Sequence, residues 1–211
     1  MTSAKDDKPA SARARLLDAA SHLFYEDGVH TVGVDRVVER AGVAKATLYA
    51  LFDNKKGLVR AYLMARDEGI RGRMTRRLAR YKTPRERLLG VFEVQGLMFD
   101  EPGFRGCAFA RANAEAPAGS SAEEVSETHR AWLRSLFVDL ARDAGAPDPE
   151  LLARQLMLLY DGAAVSAWMD HNPSAAHAAR SVATALVDAA LPQAGRPAKK
   201  AERGDAGLEA R

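Results

Sequence analysis

Apolar residues recur along this chain at intervals of three and four, the spacing that gathers side chains on one side of a helix. Leu16, Leu17, Ala20, Leu23 and Phe24 predict α1 over residues 12 to 27, and Gly28 follows as a natural stop. Val34, Val37, Val38 and Ala41 predict a short α2 over 34 to 41. After the turn Gly42, Val43, Ala44, the stretch KATLYALF makes α3, residues 45 to 52, burying Leu48 and Phe52. Asn54 is placed to cap α4, residues 55 to about 80, whose Leu58, Tyr62, Ile70, Met74 and Leu78 fall near one face and which Gly69 and Gly72 interrupt. Thr83-Pro84-Arg85-Glu86 joins an N-cap, a proline at the first helical position and a glutamate for a capping box, so α5 starts there and runs over 84 to 99. DEPGFRGCAF reads as a loop, followed by α6 (107–115), α7 (121–144), α8 (149–170) and α9 (174–190), with Pro117, Pro147, Pro149 and Pro173 marking joints. No alternating β-branched run bounded by turn signals appears, so the expected fold is all-α.

Residues 1–9 and 192–211 carry almost no large apolar side chain and read as a disordered leader and tail. Between them the pattern divides into a three-helix unit (10–54), a connecting helix (55–80) and a helical bundle (81–191). Of the 211 residues 47% are hydrophobic, enough for a real core. No run approaches the roughly 18 apolar residues of a membrane span, and the first fifteen residues hold no apolar signal region. The single cysteine has no internal disulfide partner, which fits a reducing cytoplasm, the expected location. The net charge of +3 hides an asymmetry: residues 1–85 hold 18 Lys/Arg against 10 Asp/Glu, whereas the remainder holds 13 against 18. A basic first third points to a polyanionic partner; solvated charge with no partner is the alternative.

Two short helices joined by a three-residue turn are the arrangement that lays a recognition helix in the DNA major groove. On α3, Lys45, Thr47 and Tyr49 lie away from Leu48 and Phe52 and point outward together. Lys55 and Lys56 open α4, where backbone N–H groups and ammonium groups can both meet a phosphate. The residues alone leave other roles open: Tyr49 packed against α1, and the two lysines as a solvated helix end. The basic run Arg71, Arg73, Arg76, Arg77, Arg80 and Lys82 lies far along α4 and reads as a solvated face.

The stretch GVDRVVERAGVAKATLYALFDNKKGLVRAYL (33–63), preceded by LLDAASHLFYEDG, resembles the TetR/AcrR-like transcriptional regulators. The similarity covers roughly residues 13 to 63 and is carried by Gly28, Ala41-Gly42-Val43, Thr47-Leu48-Tyr49, Phe52, Lys55 and Leu58. It implies a helix-turn-helix domain with Arg36, Lys45, Ala46, Thr47, Tyr49 and Lys55 as its DNA-binding residues. Lys45 and Thr47 would face the groove, Tyr49 the sugar-phosphate backbone, and Lys55 a phosphate. Ala44, Gly33 and Ala50-Leu51 depart from the family's usual polar or aromatic choices, so several backbone contacts are missing. The rest of the chain fits in outline the family's ligand-binding and dimerisation domain. The resemblance therefore implies a homodimeric repressor of double-stranded DNA with a pseudo-palindromic operator, released by an unknown small-molecule effector, with no cofactor and no metal.

Within the bundle, Gln95 shares a stripe with Leu88, Phe92 and Phe99, and His129 shares one with Trp132, Leu133 and Leu136. Polar groups on apolar stripes need partners or a cavity. Phe92, Gln95, Phe99, Asn113, His129, Trp132 and Tyr160 are thus candidate ligand-lining residues, with ordinary structural roles as the alternative. Gly162, Ala163, Ala164 and Ala167 on α8, with Ala178, Ala179, Val182, Ala183, Leu186 and Ala190 on α9, form a small-residue surface. The resemblance places a two-fold dimer there, with Ala163, Ala167, Ala179, Val182, Ala183 and Leu186 as candidate contacts; packing against α7 is the alternative. Cys107 reads as a small buried hydrophobe or as a redox sensor, and Gly69 with Gly72 as a bend or as sites of close packing. No phosphate loop, HExxH or ExxH pattern is present. A helical small-molecule-binding enzyme or a protein-interaction module is the remaining alternative, and salt-sensitive, sequence-specific DNA binding would reject both.

Overall fold

The computed structural model describes residues 10–191. The leader and tail expected at 1–9 and 192–211 lie outside the described residues. Within them the chain forms nine helices and no strand: α1 Ala12–Asp27, α2 Val34–Ala41, α3 Lys45–Phe52, α4 Lys55–Leu78, α5 Pro84–Phe99, α6 Ala108–Glu115, α7 Ser121–Asp143, α8 Pro149–Met169 and α9 Ala175–Ala190. The all-α expectation holds, and the boundaries differ from the periodicity by at most two residues.

Side-chain caps set several of these starts. The Ser11 hydroxyl accepts from Ala14 N–H, Asn54 from Gly57, Ser120 from Glu123 and Asp148 from Leu151. Thr83 and Glu86 close the capping box foreseen for α5. At the other end of α4, Ala79 N–H bonds Thr75 and Arg80 N–H bonds Arg77 at 3.1 Å each, a tightening last turn that ends the helix at Leu78.

Two apolar cores organise the molecule. The first joins Leu16, Ala20, Leu23 and Phe24 of α1 to Val37, Leu48 and Phe52, then to Leu58, Val59, Tyr62 and Leu63 of α4, and it reaches Phe109 of α6 and Val125 of α7. The second joins Met74 and Leu78 of α4 to α5, the later part of α7, α8 and α9, centred on Phe92, Phe137, Leu152 and Leu156. The N-terminal helices therefore do not form a separate ball: α6 and the start of α7 complete their core. α4 has its first half in one core and its second in the other.

Gly69 and Gly72 do not break α4, which is continuous over 24 residues, about 36 Å. A Cβ built at Gly69 would meet nothing within 4 Å, so close packing is not the reason for that glycine. Gly69→Ala is expected to raise stability by about 0.5–1 kcal/mol, because alanine has the better helix propensity and no neighbour resists it. Urea unfolding of the variant and the parent checks this; a lower midpoint would mean that the site needs glycine for a reason other than space.

Candidate nucleic-acid interface and interdomain cavity

The α2–α3 corner depends on Gly42, whose φ of 62° is left-handed; Val43 N–H closes the turn onto the Val38 carbonyl at 3.1 Å. Leu48 and Phe52 anchor α3 in the first core, and this points the other side of the helix outward. Lys45, Ala46 and Tyr49 are exposed and Thr47 is half-buried. Tyr49 is 44% exposed. The start of α4 is pressed against the end of α3: a Cβ on Gly57 would lie 2.1 Å from the Phe52 carbonyl oxygen, so only glycine fits.

Three long cations of this surface have an internal partner that orients them. Lys45 Nζ sits 2.8 Å from Asp35 Oδ1, and this hydrogen bond raises its pKa above 10.5. Arg36 lies 2.9 Å from Asp27, and Lys55 Nζ donates to the His30 carbonyl at 3.3 Å. Lys56 is exposed beside Lys55. The six residues expected to meet DNA thus occupy the contiguous α2, α3 and α4 start.

Between the two cores lies a cavity of about 300 Å³. Its wall combines Ser21 and Tyr25 of α1, Arg66, Gly69 and Ile70 of α4, Gln95 and Phe99 of α5, Phe104 and Cys107 of the loop, Phe109 of α6, His129 of α7, and Tyr160 and Ala164 of α8. Of the candidate ligand residues, Gln95, Phe99, His129 and Tyr160 line it. Three do not. Phe92 is fully buried against Phe137 and Tyr160, Asn113 is exposed on α6, and Trp132 lies beneath the Arg71 guanidinium, 4.8 Å from its ring centre. A second depression of about 540 Å³, bordered by Lys55, Lys56 and the α6–α7 connection, has no Phe, Tyr or Trp in its wall.

Gln95 is 1% exposed. Its Nε2 donates to the Tyr160 carbonyl at 2.7 Å, which fixes the orientation of the amide, and its Oε1 is buried with no hydrogen-bond partner. Such an acceptor is costly unless something else supplies a donor. Burial pushes the Tyr160 hydroxyl pKa up, so it stays protonated. Cys107 corrects the reading of a buried hydrophobe: the residue is exposed and lines the cavity. Protein packed around its sulfur raises the thiol pKa, which keeps it a thiol rather than a reactive thiolate at neutral pH.

Tyr25 ties α1 to the cavity rim, a role the periodicity of α1 did not reveal. Its hydroxyl accepts from Arg105 N–H at 2.9 Å and donates to the Gly106 carbonyl at 3.0 Å. Its carbonyl accepts from Arg111 Nη1 at 2.6 Å, and the Arg66 guanidinium lies 3.8 Å above its ring. On the opposite wall the His129 ring stacks on Phe109, with centroids 3.9 Å apart and planes 9° from parallel. His129 Nδ1 is 2.7 Å from Asp67 of α4, which also pairs with Arg71 at 2.7 Å.

The small-residue surface divides. Ala163, Ala167, Ala179 and Ala183 are buried inside the chain, where α8, α9 and α5 pack, so these four cannot touch a partner. Val182 is exposed and Leu186 half-buried. Leu158 and Met169, 69% and 66% exposed, and Val165 project from α8.

The Asp67 contact favours protonated His129, but burial outweighs it and holds the pKa below the ordinary 6.5. Neutral imidazole then donates Nδ1–H to the carboxylate. As pH falls the unfolded chain takes up this proton first, so stability is complete above about pH 6.5 and declines below it. His129→Phe should flatten the fall in melting temperature between pH 7.5 and 5.5. Parallel profiles for parent and variant would contradict the burial argument.

Residues 16–62 match the family model of bacterial regulatory proteins, tetR family. The fold superposes on the TetR-family transcriptional regulator SCO4454 from Streptomyces coelicolor with a TM-score of 0.81 and 32% identity, covering 86% of this chain and 96% of that one. It also superposes on sav143 of Streptomyces avermitilis, described as a putative tetr-transcriptional regulator, with a TM-score of 0.77 and 36% identity over 86% and 98% of the two chains. Among curated proteins, the transcriptional activator FasR of Mycolicibacterium smegmatis is 33% identical over 95 residues, 44% of this chain and 43% of that protein. The chain thus matches less than half the length of that curated relative. These relatives are regulators, which removes the enzyme alternative, and the structural match over 86% of the chain leads to one assignment: the chain belongs to the TetR family of DNA-binding transcriptional regulators.

Proposed function

We propose that the chain is a cytoplasmic homodimeric repressor that binds a pseudo-palindromic operator through α3 and leaves it when a small molecule fills the interdomain cavity. The observation that carries this reading is the composition of the cavity wall: α1 and α4, which hold the α2–α3 unit, line it together with α5 to α8. A ligand seated there touches both sides of the joint, so it can bind two arrangements of the joint with different affinity, the condition for shifting their balance. The effector that suits this wall is mostly apolar, with one hydrogen-bond donor for Gln95 Oε1. Lys45, Thr47 and Ala46 face base edges in this reading, while Tyr49, Lys55 and Arg36 meet the backbone.

A second copy is needed because one short recognition helix reads too few base pairs for selectivity. Exposed Leu158, Val165 and Met169 on α8 and Val182 on α9 support a two-fold contact on these helices, with Leu186 at its edge. This face replaces the four inward alanines.

Selection from random duplexes with the full-length protein should return two inverted half-sites. Leu158→Glu should weaken dimerisation by at least about thirtyfold, corresponding to about 2 kcal/mol, and lower operator affinity with it. Light scattering and fluorescence anisotropy on the selected duplex check this. A variant that stays dimeric places the interface elsewhere, and a pool that shows no enrichment contradicts the operator reading.

A further inference from the structure

The outward face of α3 has an unusual chemistry for a helix that reads DNA. Its eight residues, KATLYALF, include no Arg, Asn, Gln, Asp, Glu, Ser or His. Those make up most of the side chains that hydrogen-bond base edges, bidentately in the case of Arg on guanine and Asn or Gln on adenine; of the remainder α3 keeps only Lys45 and Thr47. With Leu48 and Phe52 buried, a turn of about 100° per residue puts Ala46 and Ala50 closest to the opposite side, and both are exposed. Thr47 flanks them, half-buried. Lys45 is at the first turn, held by Asp35, and its ammonium is a point charge rather than a planar fork.

From this we infer that the protein recognises thymine 5-methyl groups through Ala46 and Ala50, so that its half-sites carry thymines at the base pairs under α3. The inference rests on the DNA-binding reading and adds the chemistry by which the helix discriminates. Two methyl side chains at the centre of this face let the helix approach the floor of the major groove closely. There the thymine methyl is the one apolar group that a base pair presents, and contact with alanine is the complementary interaction. Lys55 and Lys56 beside this face supply attraction to phosphate, which fixes register but carries no sequence information. Beside Lys45 and Thr47, the apolar centre thus contributes a discrimination of its own.

The test uses the full-length protein and a duplex selected from a random pool. Each thymine of one half-site is replaced singly by deoxyuridine, which keeps every hydrogen-bonding edge and lacks only the methyl. Affinity should fall about fourfold at one or two thymines per half-site, the worth of burying one methyl group. The same ratio of thymine to uracil affinities is then measured with Ala46→Gly and with Ala50→Gly. At the sensitive positions one of these variants should bring the ratio close to one, a change that mere loosening of the helix would not produce, since it weakens both duplexes alike. Specific binding with no uracil-sensitive thymine overturns the inference and leaves the DNA-binding reading intact, with groove shape as the source of specificity. Sensitive thymines whose ratios both glycine variants preserve overturn the assignment to Ala46 and Ala50. Failure to select any duplex overturns the DNA-binding reading itself.

Discussion

One unbroken helix has to satisfy two apolar cores. The first half of α4 buries Leu58, Val59, Tyr62 and Leu63 against the DNA-binding helices, and its second half buries Met74 and Leu78 against the bundle. A helix of about 36 Å cannot bend freely between them without losing backbone hydrogen bonds or packing at one end. The first turn of α4 is in turn pressed against the end of α3 at Gly57, so one helix joins the bundle to the DNA-binding helices. The second link across the joint is Tyr25, held by Arg66 from α4 and by Arg105, Gly106 and Arg111 from the cavity rim and α6.

The cavity sits where these links meet, and its wall includes a buried polar group that the fold leaves unsatisfied. Gln95 keeps a buried acceptor without a donor, and His129 is held neutral by burial although a carboxylate lies beside it. Native structures retain unsatisfied buried groups sparingly, and a binding site is one place where a ligand can supply what the fold withholds. His129 also connects the cavity wall to α4 through Asp67, the same helix that carries Lys55. The repressor reading comes from the family resemblance, and the curated relative FasR is a transcriptional activator.

Helical periodicity made most of the fold legible. Leu16 to Phe24, the short α2 and α3, and the Thr83–Glu86 capping box are local signals, and local signals set local structure. The site was legible only in part, because its key contacts join distant parts of the chain. Asp67 and His129 are 62 residues apart and Tyr25 and Gly106 are 81 apart, and no pattern along the chain announces either pair. Alanine misled for a physical reason: its small side chain suits close packing within a chain as well as between chains. Ala163, Ala167, Ala179 and Ala183 went inside, while larger residues such as Leu158 and Met169 were left on the surface. Trp132 and Phe92 shared stripes with cavity residues, yet one lies beneath Arg71 and the other fills the core.

Coupling between sites is reciprocal, so if the cavity controls DNA binding, DNA binding must alter the cavity wall, whatever the natural effector is. Amide hydrogen exchange of the full-length protein, with and without a selected operator duplex, measures this directly. The account predicts slowed exchange in α3 and the first turns of α4 where DNA lies, and also changed exchange at residues 104–111 and around His129, far from the duplex. Changes confined to residues 33–58, with the cavity wall exchanging identically in both states, would contradict it.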